Sequence, residues 1–276
     1  MKLAFSKYHG LGNDFILMHE SEAKKVENRT DLIIKACDRH CGIGADGMIF
    51  VKQDPLEMIY YNQDGSRAPM CGNGIRCFSA FCKDEGVTDQ KQFDVQTLAG
   101  IKNVTITNDD PFIVSVYMGQ GEFTPEKIGV DLEQVPWNYP LSVLNTTKHI
   151  YSFFMSTVHT VLFCEDAFKD IEQEGKAICM HPLFSEQTNV NFTQVIDRHT
   201  LKVQTYERGC GVTLACGTGV CAAALTAYKL GLTDSHMRVI LKKGALTIDI
   251  DQNLGVTMSG PAALVCKGEY DYDLTA

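Results

Sequence analysis

The chain is poor in clustered positive charge. Among its 276 residues, 25 Lys and Arg stand against 34 Asp and Glu, a net charge of −9. The basic residues are scattered apart from Lys24-Lys25 and Lys242-Lys243, which read as solvated surface. Nucleic acid and the anionic face of a membrane both ask for basic patches, so neither is expected as a partner. Long apolar runs are missing too, since no stretch approaches the ~20 residues of a spanning helix. Met1-Lys2-Leu3-Ala4-Phe5-Ser6-Lys7 lacks the apolar core and small-residue cleavage site of a secretion signal. The expected location is therefore the cytoplasm, where thiols stay reduced.

Paired cysteines at close spacing are also scarce. The eleven cysteines are an odd number, which fits a disulfide framework poorly. Cys37 and Cys41 beside His40, and Cys210, Cys216 and Cys221, lack the two tight pairs of a structural zinc site, so no metal is expected. Cys82, Cys164, Cys179 and Cys266 stand in apolar surroundings and read as core. What the chain does have is an ordinary globular composition, 45% apolar and 21% charged, enough for one large domain or two of medium size.

Strand patterning over 3–8 and 15–19 flanks the turn Gly10-Leu11-Gly12-Asn13-Asp14. A helix is expected near 30–38, strands over 48–51 and 58–61, and a helix over 72–85. Residues 92–108 and 112–118 read as strands separated by Asn108-Asp109-Asp110-Pro111. The segment 119–139 carries Gly, Pro and charge with little periodicity and is the linker candidate. Beyond it, strands are expected near 149–156, 159–163, 200–206, 237–241 and 245–250, with helices near 167–178 and 218–230. Mixed strands with few helices indicate an α+β fold.

One internal echo stands out. Met70-Cys71-Gly72-Asn73-Gly74 opens one helix, and Ala215-Cys216-Gly217-Thr218-Gly219 opens another about half the chain later. A repeat of that period implies two related halves. Each cysteine falls where a loop becomes a helix, beside free backbone N–H groups and the positive end of the dipole. Both effects favour a thiolate, so each thiol is expected to titrate below its free value of ~8.5. The same N–H groups can hold a carboxylate, and glycine lets backbone approach a ligand closely. Two such motifs facing one carbon would make a racemase, with one thiolate removing the α-proton and one thiol returning it on the other face. Charge flowing into a carboxylate held by helix N-termini would remove the need for an electron-sink cofactor. No cofactor is expected.

These motifs resemble those of the diaminopimelate epimerase family, and the likeness runs nearly the whole chain. It rests on Lys7-Tyr8-His9-Gly10-Leu11-Gly12-Asn13-Asp14-Phe15, Asp38-Arg39-His40, Gly42-Ile43-Gly44-Ala45-Asp46-Gly47 and Cys71-Gly72-Asn73-Gly74-Ile75-Arg76-Cys77. In the second half it rests on Asn189-Val190-Asn191-Phe192, Glu207-Arg208-Gly209 and Ala215-Cys216-Gly217-Thr218-Gly219. The resemblance implies two pseudo-symmetric domains, each a barrel-like mixed sheet around a central helix. Residues 1–118 plus 262–276 would form the half carrying Cys71, and 119–261 the half carrying Cys216. It implies that Cys71 and Cys216 are the acid/base pair and that His159 and Glu207 lie beside the reacting centre. Gly72, Asn73, Gly217 and Thr218 would bind the α-carboxylate. Asn13, Asn62, Asn189 and Arg208 would hold the distal end of the substrate, where a planar guanidinium fork suits a carboxylate. A homodimer acting on a small amino acid is the corresponding assembly.

Two departures bear on the substrate. Ser156-Thr157-Val158-His159 stands where the family usually reads Gly-Asn-Pro-His, and Gly211-Val212-Thr213 where it reads Gly-Glu-Thr. Neither touches the cysteines. Epimerisation of LL- to meso-diaminopimelate, a step of lysine biosynthesis, and racemisation of another amino acid such as histidine both stay open at this point.

Overall fold

The computed structural model describes residues 1–272. Contacts divide the chain into two compact units, Met1–Val116 with the segment from Gly260, and Tyr117–Ser259. Of the expected N-terminal half, residues 273–276 lie outside the described residues.

In chain order the first unit comprises β1 (Lys2–Gly10), β2 (Asn13–His19), the short α1 (Glu20–Ala23), α2 (Arg29–Cys37), β3 (Gly47–Lys52) and β4 (Glu57–Asn62). It continues with α3 (Gly72–Asp84), β5 (Gln92–Thr97), β6 (Gly100–Asp109) and β7 (Phe112–Gln120). The second comprises β8 (Trp137–Val143), β9 (Thr146–Phe154), β10 (Val158–Phe163), α4 (Glu172–Cys179), β11 (Asn189–Asp197) and β12 (Thr200–Glu207). After these come β13 (Gly211–Thr213), α5 (Gly217–Lys229), β14 (His236–Leu241), β15 (Gly244–Ile250) and β16 (Gly255–Pro261). The final strand, β17 (Ala263–Asp271), returns to the first unit and pairs with β1.

The strand pairings repeat. From β1 to β7 successive neighbours run antiparallel, parallel, antiparallel, parallel, antiparallel, antiparallel. From β9 through β10, β11, β12, β14, β15 and β16 the order is the same. Even the outer partners match, since β17 lies antiparallel to β1 and β8 antiparallel to β9. Parallel neighbours cannot be joined by a tight turn, so each parallel step needs a crossover. Helices α2 and α4 fill the first crossover of each unit, and α3 and α5 the second. The two Cys-Gly-x-Gly motifs therefore open the same helix of a repeated topology.

Both of these helices are central. α3 is buried continuously from Gly72 to Cys82 and packs on β1, β2, β3, β4 and β17. α5 is buried from Gly219 to Ala227 and packs on β10, β11, β12, β14 and β15. A helix buried all round must be wrapped by other elements. Ala222-Ala223-Ala224 keeps α5 slim enough for that. In α3 the polar residues are satisfied internally: Ser79 Oγ donates to the Ile75 carbonyl, and Arg76 donates to the Gly72 and Pro261 carbonyls.

Several elements differ from the sequence reading. Residues 92–108 form a hairpin and not one strand, because Leu98-Ala99 turn outward and Gly100 adopts φ 86°. The helix expected from 167 starts at Glu172. Ahead of it, Asp166 and Asp170 accept the backbone N–H groups of Phe168 and Glu172, which holds that stretch in turns. The linker candidate ends in β8, and its Ile128 and Val130 are buried in the core of the second unit. Strands β8, β11, β13, β16 and β17 were not read from periodicity. Cys82 and Cys179 are buried as expected, but Cys164 is half-buried and Cys266 is exposed on β17. That strand pairs with β1 and exposes nearly every side chain, so an apolar neighbourhood in sequence did not make a core.

Candidate active site

In the first unit, Cys71 caps α3 with extended backbone, and its half-buried Sγ accepts the Gly74 N–H at 3.4 Å. Asn13, the first residue of β2, faces it, with 3.8 Å from Cys71 Sγ to Asn13 Oδ1. Asn73 Nδ2 donates to the same oxygen at 3.0 Å, and the Asn73 Oδ1 accepts from the fully buried Arg76 at 2.9 Å. The other end of Asn13 donates to Asp46 at 2.6 Å. Asp46 is fixed in turn by Arg39, which also bridges Asp14 at 2.7 Å. Burial alone would raise the Asp14 carboxyl. The Arg39 and Lys7 hydrogen bonds outweigh it and hold the group below the usual range. Asn62 lies opposite Gly47 in the β3–β4 ladder, donating to Ser66 and accepting from Tyr60. Asn13, Gly72 and Asn73 thus gather around one helix start, with Asn62 held by Ser66 and Tyr60, and the Asn13 amide is engaged at both ends by the protein itself.

The second unit builds its half-site from three strands and α5. Cys216 caps α5 in extended backbone and is buried, 6% exposed. Its Sγ lies 3.6 Å from the Thr218 hydroxyl. Contrary to the expectation of a lowered value, this thiol is held well above the ordinary one. Burial is the main cause and the Glu207 carboxylate the next, and together they outweigh the Thr218 and Gly219 hydrogen bonds that favour the thiolate. A helix N-terminus cannot compensate for removal from water combined with a facing negative charge. Glu207 ends β12 opposite Gly211 and accepts the Thr213 hydroxyl at 2.5 Å.

His159 lies on β10, paired in register with Asn189 on the parallel β11. The ring is fully buried, and burial followed by the Arg208 charge lowers its pKa to about 3. Asn189 Oδ1 accepts the Arg208 backbone N–H at 2.8 Å, which sets the turn after β12. The Arg208 guanidinium is exposed and donates to the Glu186 carbonyl at 2.6 Å. His159, Asn189, Glu207, Arg208, Cys216, Gly217 and Thr218 all belong to this unit.

The second glycine of each motif has a steric reason that the sequence did not disclose. A Cβ on Gly219 would stand 2.3 Å from Asn191 Oδ1 and 3.2 Å from Cys216 Sγ. On Gly74 it would stand 3.1 Å from Ile49 Cδ1 and 3.3 Å from Cys71 Cβ. These glycines make room for the protein's own groups around the sulfur. Three further residues went unassigned from sequence. Asn191 bonds His159, Thr213 bonds Glu207, and Arg76 bonds Asn73. Asn191 stood inside a quoted motif two residues from Asn189, so strand alternation was the available signal.

The two departures have local consequences. Ser156 takes φ 61°, a left-handed conformation that glycine adopts freely. Val212 packs against the core of its unit and sits opposite Tyr206. Among the described residues, no three His, Cys, Asp or Glu side chains gather as they would around a metal ion, and no helix is long and apolar enough to cross a membrane.

The diaminopimelate epimerase family model matches residues 5–124 and 152–265. A diaminopimelate epimerase of Clostridium perfringens is 41% identical over 273 residues, covering 97% of this chain and 99% of that one. One from Alkaliphilus metalliredigens is 39% identical, covering 98% of each. Among solved structures, a Bacillus anthracis phenazine biosynthesis protein of the PhzF family superposes with a TM-score of 0.72 at 13% identity, covering 98% and 99%. A hydroxyproline epimerase from Agrobacterium vitis, with bound trans-4-hydroxy-L-proline, gives 0.66 at 11% identity, covering 98% and 92%. At such identities these two carry the fold alone. Two-domain α+β architecture, family motifs and full-length relatives agree: the chain belongs to the diaminopimelate epimerase family and is an isomerase.

Proposed function

We propose that this protein interconverts LL- and meso-diaminopimelate without a cofactor, using Cys71 and Cys216 on opposite faces of one α-carbon. The observation that supports it most is the repeated topology, which brings a cysteine to the start of the central helix in both units. One thiolate takes the α-proton, the electron pair enters the α-carboxylate, and the opposite thiol delivers its own proton to the other face. The α C–H bond breaks and a new one forms with inversion, leaving the thiol and thiolate exchanged. Cys216 suits the proton-donor role in the free protein, since burial and Glu207 keep it protonated near neutral pH. The starts of α3 and α5 offer backbone N–H groups and the positive end of the helix dipole to the α-carboxylate. Arg208, exposed at the end of β12, is the candidate for the distal carboxylate.

Diaminopimelate is favoured over other amino acids because relatives at 37–41% identity, matched over nearly their whole length, carry that name. The test is deuterium incorporation at the α-carbon in D2O, followed by NMR, with LL-diaminopimelate and L-histidine offered in parallel. Two bases predict that product gains deuterium at the inverted centre while remaining substrate stays protiated early in the reaction. Cys71→Ala and Cys216→Ala should each abolish inversion. Turnover of histidine in place of diaminopimelate would keep the mechanism and refute the substrate. Inversion that survives either substitution would refute the mechanism.

A further inference from the structure

We propose that Asn191 is a positioning residue that locks His159 as a neutral imidazole protonated at Nε2, so that His159 serves as a hydrogen-bond donor and not as an acid or base. The amide of Asn191 has one possible orientation. Its Nδ2 lies 3.2 Å from the backbone carbonyl of Thr160, an acceptor only, so this atom must be the donating nitrogen. Its Oδ1 accepts the Thr205 hydroxyl at 3.0 Å. The second Nδ2 hydrogen then points at His159 Nδ1, 3.2 Å away. A ring nitrogen that accepts cannot carry a proton, and the partner nitrogen of a neutral ring must carry it. The proton of His159 is therefore on Nε2.

That Nε2–H is buried and has no hydrogen-bond partner among the described residues. An unmatched buried donor is costly, so it marks a place for an acceptor. The neighbouring amide adjoins the cysteine motif. Asn191 Oδ1 and Cys216 Sγ both border the Gly219 Cα, where any Cβ would meet both atoms. His159 is thus joined to the surroundings of Cys216 through a single amide, and the glycine of the cysteine motif is what admits that amide. The acceptor it fits is a carbonyl or carboxylate oxygen of the bound ligand. This last assignment rests on the proposed isomerase chemistry, whereas the tautomer does not.

The two are separated by the measurement. Long-range 1H–15N correlation on the wild-type protein, with His159→Gln to identify the signals, reports which ring nitrogen is protonated. A protonated Nε2 and bare Nδ1 are expected, and the opposite tautomer, or an imidazolium at pH 7, would overturn the proposal. Asn191→Asp places an acceptor where the amide nitrogen stood, so the proton should move to Nδ1 in the folded protein. An unmoved tautomer there would show that Asn191 does not set it. Loss of one such donor contact should lower kcat about tenfold or more with little change in KM. Unchanged kcat in a variant whose tautomer has moved would refute the donor role while leaving the cysteine mechanism standing.

Discussion

Acidification should cost this protein stability through a single imidazole. His159 keeps its ring neutral in the folded state down to a pKa of about 3, whereas the unfolded chain binds that proton near the ordinary ~6.5. Between those values the unfolded state holds more protons, so unfolding free energy rises with pH across the window. The stabilisation is complete above pH ~6.5 and is lost progressively on descent toward 3. Each unit is worth ~1.4 kcal/mol, so the two units from 6.5 to 4.5 remove about 2–3 kcal/mol. Carboxylates such as Asp14 also titrate on the way down, but they are shared by a His159→Gln protein. The assay is urea unfolding of both proteins at pH 7.5, 6.0, 5.0 and 4.5. The stability gap between them should change by about 2–3 kcal/mol over that range, in the direction of wild type losing more on acidification. A gap that stays constant within 0.5 kcal/mol or so would mean that His159 titrates alike in both states. It would refute the picture of a desolvated neutral ring.

Glu207→Gln removes the charge that raises the Cys216 thiol, so iodoacetamide should label Cys216 several-fold faster at pH 8, as read by peptide mass spectrometry; unchanged labelling would mean burial alone governs the thiol. Gly219→Ala should destabilise by about 1–3 kcal/mol and displace the Asn191 amide, and wild-type stability with an intact His159 tautomer would contradict the steric account. Ser156→Gly should raise stability in thermal unfolding by about 0.5–1 kcal/mol, because it relieves a left-handed backbone; a loss would show that the Ser156 side chain has a use that its exposure hides. Arg208→Ala should raise KM for diaminopimelate while the fold is kept, and an unaltered KM would remove that arginine from the distal end.

The two helix starts were legible because cysteine and glycine at one spacing, twice, form a pattern that composition rarely produces. The strands around them were legible only where apolar alternation was strong. β17 exposes both faces and shows no period two, whereas β11 alternates polar and apolar residues from Asn189 to Thr193 but buries both sets. Asn189, Asn191 and Thr193 are the buried polar positions of β11, which alternation alone would assign to a solvent face. Their burial is tolerated because each is hydrogen-bonded across strands, to the Arg208 backbone, to Thr160 and Thr205, and within the strand. The thiol ionisation was misjudged for a related reason. Helix position is local and visible in sequence, whereas burial and the facing Glu207 arise from a strand pairing that sequence does not display.

The two cysteines share a backbone setting and differ in what surrounds them. Repeated topology places each cysteine in extended backbone at the start of a central helix, yet the polar surroundings are not repeated. Around Cys71 stand the Asn13 and Asn73 amides, backed by the buried Arg76 guanidinium. Around Cys216 stand the Glu207 carboxylate and the Thr218 hydroxyl. A substrate carbon inverted between two equivalent thiols would meet the same barrier from either side. Burial and Glu207 keep the thiol of the second half protonated. Under the proposed two-cysteine mechanism Cys216 would then be the proton donor of the free protein, and the stereoisomer processed first would be the one that presents its α-hydrogen to Cys71. Labelling order makes the point measurable, since Cys71, half-buried, should react with iodoacetamide before Cys216. If Cys216 reacted first, the assignment of acid and base in the resting protein would have to be reversed.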